Sequence, residues 1–148
     1  MTGETLHMSH WNDVDEYGRT KLHHAANYGT THLVAFLLEE GVDVNSQDND
    51  GWTALHFAAQ NSHFELIDLL LENNANPNLC DKQGNTPLWV AVIYAEGKYA
   101  GIKSLLRNKA DPYHENHHGR SPMYIVNTIL TGLEDAFMPF VNNNIMCK

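Results

Sequence analysis

A chain of 148 residues, 43% of them apolar, has the length and the greasiness for one domain with its own core, and its composition disfavours wholesale disorder. A formal net charge of −9 argues against a nucleic-acid surface, and no run of ~18 apolar residues offers a membrane span. Cys80 and Cys147 fit no metal or redox spacing and read as reduced thiols of a cytoplasmic protein.

The chain starts with MTGETLHMSHWNDVDE, which has no basic start and no apolar stretch, so no secretory leader is expected. Residues 1–14 read as an N-terminal extension. From residue 15 a repeat sets in. Gly18, Gly51 and Gly84 lie 33 residues apart, and so do Thr20, Thr53 and Thr86, and Leu22, Leu55 and Leu88. In register the units are 15–47, 48–80 and 81–115, with an imperfect capping unit at 116–148.

Each full unit opens on Asp (Asp15, Asp48, Asp81), with Gly three residues on. This is turn chemistry: the carboxylate bonds its own backbone and glycine accepts positive φ. The Thr two residues later is placed to cap a helix, and Pro87 sits where a first helical turn tolerates it. LHHAAN, LHFAAQ and LWVAVI are short first helices with small faces. HLVAFLLEE and FELIDLLLENN repeat Leu, Ile and Val at i, i+3, i+4, the pattern of a second helix with one buried side. Gly41 and Asn74 are expected to end those second helices in the left-handed conformation.

The third unit departs from the period. Gly84 and Gly119 are 35 residues apart, which places two extra residues near YAEGKYAG (94–101), between the paired helices. Gly101 inside the second helix, together with this insertion, is expected to weaken the C-terminal half. Unit four keeps Gly119, Ser121 and Pro122. Its last apolar helix is expected to stop before Pro139.

The motifs GRTKLHHAA, GWTALHFAA and GNTPLWVAV, with LL and G/N-x-D/N-x-N (GVDVN at 41–45, NANPN at 74–78) following in register, resemble the ankyrin-repeat family over about residues 15–138. The resemblance implies an all-α repeat fold, an α-solenoid of stacked β-turn–helix–helix units. It also implies a partner protein docking on the concave face of turn tips and first helices. No extra helical pair precedes unit one, so that unit is expected to cap itself with the polar Lys21, His24, Asn27, Thr30 and Thr31. His23 and His56 are expected to bond backbone groups between neighbouring turns. Trp89 replaces that histidine in unit three and accepts no such bond, so packing there should differ.

Carried over by position, the candidate partner-binding residues are Asp13, Glu16, Tyr17, Arg19 and Tyr28 in and before unit one. Units two and three supply Asn49, Asp50, Trp52, Gln60, Asn61, Lys82, Gln83, Asn85, Ile93 and Tyr94. The fourth supplies His118 and Arg120. Trp52 is expected at an exposed tip, where a large aromatic ring suits an interface. Residues 1–50 carry nine acids against Arg19 and Lys21, a balance of −7. Their part of the face should therefore meet a basic patch.

No nucleophile–base arrangement, zinc-protease motif or phosphate-cradling loop is present, so no enzymatic activity and no cofactor are expected. The one dense histidine cluster, HENHH (114–118), sits on a turn, where side chains fan out rather than converge on a metal. No basic neighbour stands close in sequence to Cys80 to activate it. The expected role is binding of another protein, neither nucleic acid nor membrane, as a stoichiometric inhibitor. The type is an immunity protein or antitoxin facing a toxin such as a basic nuclease. An adaptor bridging two partners is the alternative, and a metal-responsive regulator built on HENHH a weaker one.

Overall fold

The computed structural model describes residues 10–129 and 132–145. Among them the regular structure is helical throughout: α1 (Lys21–Tyr28), α2 (Thr31–Glu39), α3 (Ala54–Gln60), α4 (Phe64–Glu72), α5 (Pro87–Ile93), α6 (Ala100–Arg107), α7 (Pro122–Thr128) and α8 (Glu134–Ile145). The caps are those the repeat dictates. Thr20, Thr53, Thr86 and Ser121 hold extended backbone at the four N-caps of α1, α3, α5 and α7. The Thr86 hydroxyl accepts from Trp89 N–H at 3.3 Å and the Ser121 hydroxyl from Tyr124 N–H at 3.1 Å. Pro87 and Pro122 occupy the first helical position, where no N–H is needed. Gly41, Asn74 and Lys109 follow α2, α4 and α6 with φ of 81°, 66° and 67°, the left-handed stop expected for the first two.

The helices form two rows. α1, α3, α5 and α7 pack successively along one row, and α2, α4, α6 and α8 along the other. The small faces explain the close inner row: Ala25, Ala26, Ala58, Ala59 and Ala91 are buried between neighbours. Leu22, Leu55 and Leu88, one per unit, are at most 1% exposed, as are Leu37, Leu70 and Leu105 in the outer row. Fully burying one such side chain stabilises by about 1.5–3 kcal/mol. A single unit has no second surface to bury it against, so the units hold only as a stack.

The structure bears on four expectations. The insertion does fall between α5 and α6, in the segment 94–99, and leaves both rows intact. Gly101 is also a fitting point, where α6 meets α4: a β-carbon there would stand 2.6 Å from Ile67 Cδ1. α8 does not stop before Pro139 but runs through it, because Ala136, Phe137 and Val141 are buried on both sides of the proline and tertiary packing outweighs the local break. Nor does unit one cap itself alone. Trp11 packs edge-on against Phe36 (centroids 5.4 Å apart), and the Lys21 ammonium lies 4.5 Å from the Trp11 ring centroid. An aromatic ring and a cation thus cover the outer end of the stack.

A candidate protein-binding groove

The concave face is built from the turns, and each turn is built by one acidic or amide side chain. Asp48 Oδ1 accepts the N–H groups of Asp50 (2.9 Å) and Trp52 (2.8 Å). Asp81 Oδ1 does the same for Gln83 and Asn85, and Asn116 Oδ1 for His118 and Arg120. Successive turns are then tied by a repeated backbone bond. Asn49 N–H donates to Tyr17 O, Lys82 N–H to Asp50 O and His117 N–H to Gln83 O, each at 2.9 Å. Gly51 is forced by this closeness, since a β-carbon would meet Asp81 Cα at 2.9 Å on a backbone already at φ 82°.

A second tie runs through the histidines. His56 Nδ1 accepts the Thr53 N–H at 3.1 Å, so the ring proton sits on Nε2, which donates to Asn85 O at 3.1 Å. His23 repeats the arrangement on Thr20, with Nε2 at 2.9 Å from Ser46 O and 3.0 Å from Trp52 O. Burial holds both imidazoles below their ordinary value of 6.5, against the pull of the carbonyls they bond and of Asp48 and Asp81. The expected role of the two histidines is therefore what the structure contains. At Trp89 the tie is missing, and the indole instead turns to the concave side, where it lines a groove.

That groove, about 570 Å³ in volume, runs across units one to three. Arg19, Asp50, Trp52, Gln60, Lys82, Gln83, Asn85, Ile93 and Tyr94 line it, all of them positions assigned from the sequence. Phe57, Asp81, Trp89 and Val90 line it too and were not assigned. In the sequence Asp81 reads as turn chemistry and Trp89 as a departure in packing, and the tryptophan at a histidine position is the signal that points to the groove. Trp52 is not the exposed tip the pattern implied. It is half-buried, because its ring lies 5.0 Å from the Phe57 ring and 5.5 Å from His56. Ile93 and Tyr94 are 46% and 45% exposed beside the insertion.

The other assigned positions lie outside the groove lining. Tyr17 and Tyr28 are exposed rings, at 56% and 76%. Glu16, His118 and Arg120 are exposed as well. Asn49 donates to Glu16 O and Asn61 to Asn27 Oδ1, both at 3.1 Å, so these amides hold units together. Several carboxylates of the acidic half are already engaged in contacts within the chain. Asp13 lies 3.1 Å from His10, and Asp15 2.8 Å from His24. Asp15 is lowered chiefly by the bond from Arg19 N–H. Arg19 is itself committed, its Nε donating to the buried Asp48 at 3.1 Å. Glu16 and Asp50 keep carboxylates without an ion pair among the described residues.

The histidine cluster does not converge. His114 turns into the stack, with Nε2 3.1 Å from Cys80 Sγ, while His117 lies over Gly84 and His118 faces solvent. No group of three metal-ligating side chains occurs among the described residues. Cys80 thus gains a histidine that sequence proximity did not show, but burial and then Asp81 push its thiol up, away from the reactive thiolate. No helix among the described residues is long and apolar enough to cross a membrane.

A family model described as Ankyrin repeats (3 copies) matches residues 4–81 and, in a second overlapping alignment, residues 22–116. No curated protein shows significant similarity to the chain. The matched span, the caps, the turn ladder and the two helix rows agree, and the chain belongs to the ankyrin-repeat family, whose repeats are protein–protein interaction modules.

Proposed function

We propose that this chain is a non-catalytic cytoplasmic binder that takes a partner protein into the concave groove and acts as its stoichiometric inhibitor, in the manner of an immunity protein or antitoxin. The observation that carries the reading is the groove itself. Trp52, Trp89 and Tyr94 offer partly exposed aromatic surface in a concavity, with the unpaired carboxylate of Asp50 on its lining and Glu16 on the same face. Large aromatic rings in desolvated pockets dominate interface energetics, and acidic surroundings steer a basic partner on approach. The partner expected is a protein with a basic patch, such as a toxin or nuclease, whose working surface the stack covers.

The test is affinity capture from the native source at low and high salt, followed by titration of the captured protein's activity. The expected result is one dominant partner, lost when Trp52→Ala and Tyr94→Ala are combined, retained when Phe64→Ala is made outside the groove, and silenced at one-to-one stoichiometry. A saturated complex that keeps its activity would refute inhibition and leave the adaptor reading. Undiminished capture by the double variant would remove the groove from the interface.

A further inference from the structure

The three turn junctions of the stack can be compared with one another. Between units one and two, Arg19 Nε donates to Asp48 Oδ2 at 3.1 Å, and the guanidinium lies 4.9 Å from the Phe57 centroid and 5.3 Å from that of Tyr17. Between units three and four, the equivalent positions are Asn85 and Asn116, and Asn85 Oδ1 accepts from Asn116 Nδ2 at 2.9 Å. Each is a matched pair: cation with carboxylate, amide with amide. Between units two and three the equivalent positions hold Trp52 and Asp81, which do not match.

Asp81 is as buried as its counterpart role requires, at 9% exposed, and it lines the groove. Its Oδ1 is used by the turn, while Oδ2 has Asn85 Nδ2 at a long 3.4 Å. No cation pairs with it among the described residues, and Lys82, which lines the same groove, makes no ion pair there either. A buried carboxylate without a counter-charge is costly to keep. The same groove is lined by the rings of Trp52, Trp89 and Tyr94, aromatic surface of the kind that Phe57 and Tyr17 offer to Arg19.

We propose that the groove is a receptor for an arginine side chain of the partner, whose guanidinium pairs with Asp81 between these rings and so completes the junction as Arg19 completes the first. The proposal rests on the reading that a partner docks in the groove. Arginine is named over lysine because the planar guanidinium forks onto a carboxylate and stacks on aromatic faces at once, which a compact ammonium does not. The precedent within the chain is itself an arginine.

The probe is the peptide acetyl-Gly-Arg-Gly-amide, compared with its lysine and citrulline counterparts, read by the indole N–H signals in NMR spectra of the full chain. Trp52 and Trp89 are expected to shift saturably, while Trp11, at the far end of the stack, stays still. Lysine should bind about threefold more weakly or worse, and the uncharged citrulline at least about tenfold more weakly. D81N should abolish the preference for arginine. Its turn is expected to survive, because Asn116 builds the same turn one unit later. W52R is an independent variant that does not rely on losing a group: it supplies the guanidinium from within, and should block the peptide while raising the melting temperature. Equal shifts by arginine and citrulline, no saturable shift, or arginine preference surviving in D81N would overturn the proposal. If the captured partner still needs Trp52 and Tyr94 after such a result, the groove remains the interface and only the arginine assignment falls.

Discussion

Replacing His56 by alanine strikes the tie between units two and three. His56 is fully buried, at 0% exposed. Its loss orphans the Thr53 N–H, which is bonded at 3.1 Å to Nδ1 and costs about 1–3 kcal/mol when buried without a partner. The bond from Nε2 to Asn85 O, at 3.1 Å, is worth about 1 kcal/mol. The carbonyl itself is not orphaned, since the Asp81 N–H still reaches it at 2.9 Å. The void left by the ring adds about 1–2 kcal/mol, because the closely packed turn cannot collapse into it. The expected destabilisation is about 4 kcal/mol, a large share of the ~5–15 kcal/mol that holds a typical domain. Urea unfolding followed by far-ultraviolet circular dichroism measures it. A loss below about 1 kcal/mol would refute the idea that this histidine ties the turns together.

Acid should unfold the protein from the histidines first. His23 and His56 are held neutral in the fold and charge freely once it opens, so below 6.5 the unfolded chain binds more protons. Stability is complete above that value and falls as pH drops through it; denaturation midpoints equal at pH 7.5 and 5.5 would contradict this. Gly51→Ala and Gly41→Ala share a positive φ, but only the first meets a neighbouring backbone, Asp81 Cα at 2.9 Å, while nothing lies within 4 Å of the second. Thermal melts should show a cost of about 1 kcal/mol for Gly41→Ala and about 3 kcal/mol for Gly51→Ala; equal costs would show that the turns are not tightly apposed. In a Cys147→Ser background, Cys80 should alkylate with iodoacetamide more slowly at pH 7 than a free cysteine, given the burial that pushes its thiol up; faster alkylation would mean that His114 activates it. Binding across several units should raise the melting temperature by mass action, and a flat melt with a captured partner would argue against a multi-unit interface.

Much of the groove lining was legible in the sequence because a repeat maps position onto face. Once Gly18, Gly51 and Gly84 set the register, Asp50, Trp52, Lys82 and Tyr94 follow as concave positions, and the groove contains them. What the register does not carry is the commitment of each side chain. Arg19 reads as a free cation until the fold brings Asp48 beneath it. Asn49, Asn61 and Asn85 read as surface amides until they are found bonding a neighbouring unit. Cys80 and His114 lie 34 residues apart in sequence and 3.1 Å apart in space.

The sequence by itself determined the local structure: where the turns form, which residues cap the helices, and which faces are apolar. Those features depend on φ, on hydrogen bonds within a few residues, and on a 33-residue period that repeats them. Only the tertiary structure decided which polar groups remain available, because pairing between units depends on distances that no local rule contains. α8 passing through Pro139 has the same origin, since the burial of Phe137 and Val141 against the stack outweighs the break that the proline imposes on its own turn.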